Sequence, residues 1–274
     1  MTKVGLIGTG MLGEAVGLHL LESGYDLNVY NRTKSKTKKL AENGATIFDL
    51  PKHIAESSDL VITCVKDADA VKEVLFGNDG ITSGKYTDLS VADMSTINPT
   101  GAQEISKKLH AMKIKSLEIP VMGGPNVAIN GGLVLMASGD KELFETHQKI
   151  FKTIANKIFF LGESGSAHTI KLAMNMQISL LALSLSEGII LMKKAGIEPE
   201  KLFPSIHRRC RYTRLPISIG ISPEKLFHQT FSHSFFTLIL IYFLFAIIAE
   251  WKKNPTLKYV GKGIVLGMLT HIVL

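Results

Sequence analysis

Apolar runs of strand length recur through the first part of the chain, at 4–7, 26–30, 45–48, 60–65, 89–94, 116–120, 132–139 and 157–162. Between them, apolar residues return at helical spacing, most clearly at 14–23, at 68–76 and from Pro99 to about residue 112. The run 60–65 is free of charge at every position, as expected of a strand covered on both faces. This alternation predicts an α/β fold built on a doubly wound parallel sheet. In such a sheet, ligands collect at the carboxyl ends of the strands. That rule nominates the segments 8–13, 65–67, 95–99 and 121–124. After residue 162 the pattern changes. A break of small residues, Gly162 to Ser166, precedes one long and mostly apolar helix from about 167 to about 194.

The first strand exit carries the clearest chemistry. Gly8-Thr9-Gly10-Met11-Leu12-Gly13 lies between a buried strand and a helix. That context turns a weak G-x-G-x-x-G match into a dinucleotide-binding unit of Rossmann type. Gly8 permits the tight turn, Gly10 lets the backbone approach a pyrophosphate, and Gly13 lets helix and strand pack closely. The helix N-terminus then meets the phosphates with its partial positive charge. The second strand predicts which nucleotide binds. An NAD-specific unit would place Asp or Glu near its end. Here it ends in Asn31-Arg32-Thr33, with Lys34 and Lys36 following. A guanidinium and a hydroxyl suit a 2′-phosphate, so NADP is expected ahead of NAD.

Charge divides the chain. Its 31 Lys+Arg and 24 Asp+Glu give a net charge of +7. The excess falls in 204–274, where Arg208, Arg209, Arg211, Arg214, Lys225, Lys252, Lys253, Lys258 and Lys262 face only Glu224 and Glu250. The first 203 residues are therefore balanced, and the basic total is no argument for nucleic-acid binding. Cys64 and Cys210 are the only cysteines, and neither a disulfide framework nor a metal site is expected. With a strand starting at residue 4 and no leader expected, residues 1–203 read as cytoplasmic. The organisation expected is a nucleotide-binding domain over 1–162, the start of a helical domain over 163–203, a basic linker over 204–230 and an apolar tail over 231–274.

Two further segments carry chemistry. Pro120-Val121-Met122-Gly123-Gly124-Pro125 makes a tight turn whose exposed amides suit a carboxylate, although an ordinary loop reads the same way. Ser95 follows a strand, where a hydroxyl is commonly a helix cap. On the long helix, Lys171 and Asn175 stand at i and i+4, on one face. A lysine buried there would have a lowered pKa and could serve as acid and base near neutrality. A lysine reaching out to solvent is the alternative.

Together these motifs resemble the beta-hydroxyacid dehydrogenases, which include 3-hydroxyisobutyrate dehydrogenase and the tartronate semialdehyde and glyoxylate/succinic semialdehyde reductases. The resemblance rests on Gly8 to Gly13, on Asp93-Met94-Ser95-Thr96-Ile97-Asn98-Pro99, on Pro120 to Gly124 with Ala128 and Gly131-Gly132-Leu133, and on Gly165 to Asn175. It covers 1 to about 203. It implies that Lys171 is the catalytic acid/base, that Asn175 helps hold it and the substrate, and that Ser95, Gly123 and Gly124 bind the substrate carboxylate. It implies cofactor contacts from Gly8, Thr9, Gly10, Met11, Leu12, Asn31, Arg32 and Thr33, with Val65, Lys66 and Thr96 toward the nicotinamide. The reaction implied is hydride transfer between NADP(H) and a short hydroxy acid or semialdehyde, with no metal.

Two departures stand out. Met122 occupies a place where the family usually has serine, which removes a hydroxyl donor. The family also continues into a helical domain that closes over substrate, forms a dimer and supplies a Lys-Asp pair. Here the resemblance stops near Phe203, and 204–274 contain no Asp. An Arg-rich stretch, His207 to Arg214, is followed by the uncharged run 235–249. Extended back to Phe231, this run nearly reaches the roughly 20 residues that span a bilayer. Basic residues flank it on both sides, which a single span does not accommodate. A second apolar run occupies 263–274. The stretches 229–234 and 267–271 resemble the membrane-bound metal-dependent hydrolases, with His233 and His271 at the matching positions. Three readings stay open: an NADP-dependent oxidoreductase, a cofactor-binding module without turnover, and a membrane protein with a vestigial nucleotide domain joined from unrelated coding segments. A homodimer, expected for the family, is in doubt for this chain.

Overall fold

A computed structural model describes residues 2–198. The basic linker, the apolar tail 231–274 and His233 and His271 lie outside the described residues. The chain divides into two compact units, Met1–Ser184 and Leu185–Leu274. In the second, only the end of a helix and the turn after it are described.

The first unit is a twisted sheet between two layers of helices. Its strands are β1 (Lys3–Ile7), β2 (Asp26–Tyr30), β3 (Thr46–Ile47), β4 (Leu60–Thr63), β5 (Ser90–Asp93), β6 (Lys115–Glu118), β7 (Val121–Met122), β8 (Leu133–Gly139) and β9 (Ala155–Phe160). The helices are α1 (Met11–Glu22), α2 (Lys38–Glu42), α3 (Pro51–Glu56), α4 (Ala68–Phe76), α5 (Pro99–Ala111), α6 (Pro125–Ala128), α7 (Lys141–Thr146), α8 (Gln148–Ile154) and α9 (Ser166–Lys194). The order across the sheet is β3-β2-β1-β4-β5-β6-β8-β7, with β9 on β8. From β3 to β6 all pairings are parallel. β8 then runs antiparallel to β6 and β7, and β9 runs parallel to β8.

Strand alternation builds the two cores. Val4 and Leu6 of β1, with Leu60 and Ile62 of β4, face α1 and α8 and meet Val16, Leu20 and Phe151. Ile7 and Val61 face the other way, toward Ile54 of α3, Leu75 of α4 and Leu109 of α5. Adjacent residues of one strand thus serve opposite layers, which is why β4 and β5 are buried throughout. The sequence reading placed most of these elements to within a few residues. The expected parallel sheet runs from β3 to β6, and β8 adds an antiparallel strand beyond it. An alternating apolar pattern does not encode strand direction. The first helix also starts earlier than expected, so Met11, Leu12 and Gly13 are in its first turn.

Gly8 adopts φ +99°, and a Cβ there would strike the Cys64 carbonyl oxygen. Gly10 has φ −66°, and a Cβ would meet nothing within 4 Å. Gly8→Ala is therefore expected to cost more than about 2 kcal/mol of stability, because both strain and a backbone clash must be relieved. Gly10→Ala should stay within about 0.5 kcal/mol of the parent. Denaturant unfolding of the full chain followed by circular dichroism checks both.

Candidate functional site

The strand exits form two groups of residues. The first surrounds the turn from β1 into α1. Gly10 caps the helix, and the first helical hydrogen bond runs from the Glu14 amide to the Gly10 carbonyl at 2.8 Å. The amides of Met11, Leu12 and Gly13 thus have no acceptor within the helix. Gly13 is pressed against the Gly8 carbonyl, which holds strand and helix together. The Thr9 amide donates to Asn31 Oδ1 at 3.0 Å, and Asn31 Nδ2 donates to the Thr33 carbonyl at 2.8 Å. Asn31 therefore ties the end of β2 to the glycine turn. Thr9 Oγ1 is buried and, among the described residues, has no hydrogen-bond partner. Arg32 and Thr33 are exposed beside it. Asp67 has its carboxyl held below the usual range by the Ala70 amide, then by Lys66, with the Arg32 charge contributing. Open space at Gly10, helix-start amides with no acceptor in their own helix and a hydroxyl without a partner among the described residues fit the pyrophosphate of a dinucleotide.

The second group gathers at the ends of β4, β5 and β6. The Val65 amide donates to Ser95 Oγ at 3.0 Å. Ser95 is only 3% exposed, and its amide donates to Asp93 Oδ1 at 3.0 Å. Asn98 caps α5, its Oδ1 accepting from the Gly101 amide at 2.6 Å. Ser95 is thus not the helix cap. Lys66 and Thr96 stand exposed on the two adjoining turns. β7 carries the chain to Met122, followed by Gly123 at φ +119° and by Gly124, which caps α6. Both glycines are exposed.

Lys171 enters from α9 and meets this turn. It is 9% exposed, and its Nζ donates to Met122 Sδ at 3.0 Å. Burial lowers its pKa from the usual lysine value. Among the described residues no carboxylate pairs with it. Asn175 is half-buried one turn further on, and no hydrogen bond joins its side chain to Lys171. The structure thus brings together Val65, Ser95, Met122 and Lys171, with Thr96, Gly123 and Gly124 adjacent.

A buried polar knot behind Lys171 escaped the sequence reading. Glu118, at the end of β6, accepts from Ser138 Oγ at 2.9 Å, from the Gly165 amide at 2.7 Å and from Ser164 Oγ. His168 Nδ1 lies 2.9 Å from Glu118 Oε2. Its Nε2 lies 3.1 Å from the Ser95 carbonyl. Ser138 Oγ also accepts from the Ala167 amide at 3.1 Å. Beside them, Asp93 accepts from Thr63 Oγ1 at 2.7 Å, and burial raises its pKa against these hydrogen bonds. Cys64 is pushed up to about 12 by burial and by Asp93, so its thiol stays protonated. The available signals were a glutamate ending an apolar strand and a histidine one turn before Lys171.

Comparison with known proteins agrees with this geometry. Residues 3–162 match the family model described as the NAD binding domain of 6-phosphogluconate dehydrogenase. The chain is 34% identical to the mitochondrial 3-hydroxyisobutyrate dehydrogenase-like protein 1 of Arabidopsis thaliana over 236 residues, covering 86% of this chain and 70% of that one. Glyoxylate/succinic semialdehyde reductase 1 of Arabidopsis thaliana is 30% identical over 200 residues, covering 73% and 69%. In fold, the chain resembles an imine reductase from Myxococcus stipitatus in complex with NADP+, with a TM-score of 0.76, 20% identity and coverage of 99% and 100%. The motifs, the sheet order and these matches agree that the chain belongs to the beta-hydroxyacid dehydrogenase family of NAD(P)-binding oxidoreductases.

Proposed function

We propose that the chain is an NADP-dependent dehydrogenase or reductase acting on a short hydroxy acid or its semialdehyde, with Lys171 as the acid–base group. One observation carries this reading: a buried lysine that has no carboxylate partner among the described residues faces Met122, beside the exposed backbone of Gly123 and Gly124. The substrate class comes from the names of the relatives, a 3-hydroxyisobutyrate dehydrogenase-like protein and a semialdehyde reductase.

The setting of each residue supports a role for it in this reading. Gly8, Thr9, Gly10, Met11 and Leu12 hold the pyrophosphate through backbone amides and the Thr9 hydroxyl. Asn31 fixes the adenosine end, while Arg32 and Thr33 take the 2′-phosphate. The absence of a carboxylate at the end of β2 supports NADP over NAD. Val65, Lys66 and Thr96 border the nicotinamide end. The Gly123 and Gly124 amides and the Ser95 hydroxyl receive the substrate carboxylate, while Ser95 Oγ also accepts from the Val65 amide and so fixes that turn. When bound, the cofactor supplies or accepts the hydride. In reduction, the Lys171 ammonium gives its proton to the carbonyl oxygen as that oxygen becomes a hydroxyl. In oxidation, the neutral amine takes the hydroxyl proton. Asn175 steadies the substrate on the same helix face.

A second reading, a cofactor-binding module without turnover, draws on the helix itself. Beyond Lys171, the apolar side chains Met176, Ile178, Leu181 and Leu183 are exposed, so nothing described covers that end of the site. Nucleotide binding with no turnover on any short semialdehyde would favour it.

Fluorescence titration of the full chain should show tighter binding of NADPH than of NADH. Arg32→Ala should remove that preference, a loss of roughly 10–150-fold if the guanidinium makes charge-assisted bonds worth about 1.5–3 kcal/mol. Equal affinities in both proteins would refute the 2′-phosphate assignment. Gly10→Ala should weaken both nucleotides while leaving stability intact.

The lowered pKa of Lys171 fixes a pH dependence. Reduction needs the ammonium, so its rate should fall as pH rises through that pKa, below the usual 10.5. Oxidation needs the amine and should rise over the same interval. Rate–pH profiles in both directions check this, and parallel profiles would contradict it.

A further inference from the structure

Both ring nitrogens of His168 face groups that accept hydrogen bonds. Nδ1 lies 2.9 Å from a Glu118 carboxyl oxygen, and Nε2 lies 3.1 Å from the Ser95 carbonyl. A neutral imidazole has one N–H and would leave its second nitrogen lone pair against an oxygen. In a side chain with no solvent exposure, that mismatch has no water to relieve it. A protonated Glu118 would be the other remedy. Glu118, however, already accepts from Ser138, Ser164 and the Gly165 amide. With His168 these donors occupy both carboxylate oxygens twice, which favours the ionised acid.

We propose that His168 is a buried imidazolium, gripped by Glu118 and the Ser95 carbonyl, that fixes the first turn of α9 and thereby positions Lys171. The positioning half rests on reading Lys171 as the acid–base group; the charge of His168 does not. His168 stands three residues before Lys171, on the same side of the helix. Glu118 ends β6, which leads toward the Met122 turn, and Ser95 lies in the turn just past the end of β5. One cation therefore ties α9 to both turns that flank the candidate substrate position.

The titratable groups around His168 are Glu118 from β6, Asp93 from β5 and Lys171 on its own helix. Burial lowers the His168 pKa, but the Glu118 hydrogen bond and charge, the Asp93 charge and the Ser95 carbonyl together raise it. Burial likewise opposes the charged form of Glu118, and the bonds from His168, Ser164 and Gly165 prevail and lower its pKa. The His168 contribution to stability is thus complete below the unfolded value of 6.5 and is lost as pH rises through the raised folded value. The Glu118 contribution is complete above 4.5 and is lost as pH falls through its lowered folded value.

Nitrogen NMR of the full chain labelled with ¹⁵N-histidine tests the charge. The His168 signals are assigned by their loss in His168→Gln or, should that variant unfold, by correlation to the Thr169 amide. Two protonated ring nitrogens at pH 7, with a midpoint above 6.5, are expected. One protonated nitrogen, or a midpoint at or below 6.5, would overturn the proposal. The rate of reductive methylation of Lys171, read by mass spectrometry, tests positioning without any need for turnover. In His168→Gln and in Glu118→Gln, it should rise several-fold and lose its break in the wild-type pH profile, with exposed Lys66 unchanged as the control. An unchanged Lys171 profile in both folded variants would overturn the positioning role even if the charge were confirmed.

Discussion

The buried carboxylate of Glu118 organises the site. Glu118 ends β6 where the chain must leave the sheet, and an unpaired charge there would be costly. Its hydrogen-bond partners come from β8, from the 162–165 break and from the start of α9. Satisfying one side chain therefore determines where the long helix begins. It also sets how that helix meets the exits of β5 and β6, because His168 carries the connection on to the Ser95 carbonyl. Lys171 is buried because its helix is anchored at this point.

The nucleotide end depends on a different constraint, which is backbone clearance. Gly8 and Gly13 are places where a side chain would strike the main chain, whereas Gly10 faces open space. Gly8 and Gly13 serve the fold, and the clearance at Gly10 leaves room for a ligand. Asn31 links this turn to the end of β2, so the residues assigned to the phosphate and to the ribose are joined by a hydrogen bond through the Thr9 amide. At the other end, Met122 puts a soft, weakly accepting sulfur against Lys171. Among the described residues, the lysine is therefore desolvated without an ion pair.

Local features were legible in the sequence. The glycine turn, the exit of β2 and the Lys171–Asn175 spacing each lie within one strand–turn–helix segment, where pattern and chemistry are read together. The extent of α9 was also readable, because its small-residue start and apolar length are contiguous. The features that escaped depend on pairing across the sheet. Glu118 and His168 are 50 positions apart, and no pattern on either segment names the other. The direction of β8 is likewise a matter of pairing. β7, with two residues, is too short to show a period. Ser95 was open to reading as a cap until Asn98 was seen to fill that role three residues later.

The central claim is that Lys171 moves the proton that accompanies hydride transfer. The most direct measurement is single-turnover oxidation of bound NADPH by the full chain against a panel of short semialdehydes, followed by absorbance and compared with Lys171→Ala. Turnover in the parent is expected, with a fall of roughly 10²–10⁴-fold in the variant and NADPH binding unchanged. A variant that turns over as fast as the parent would contradict it.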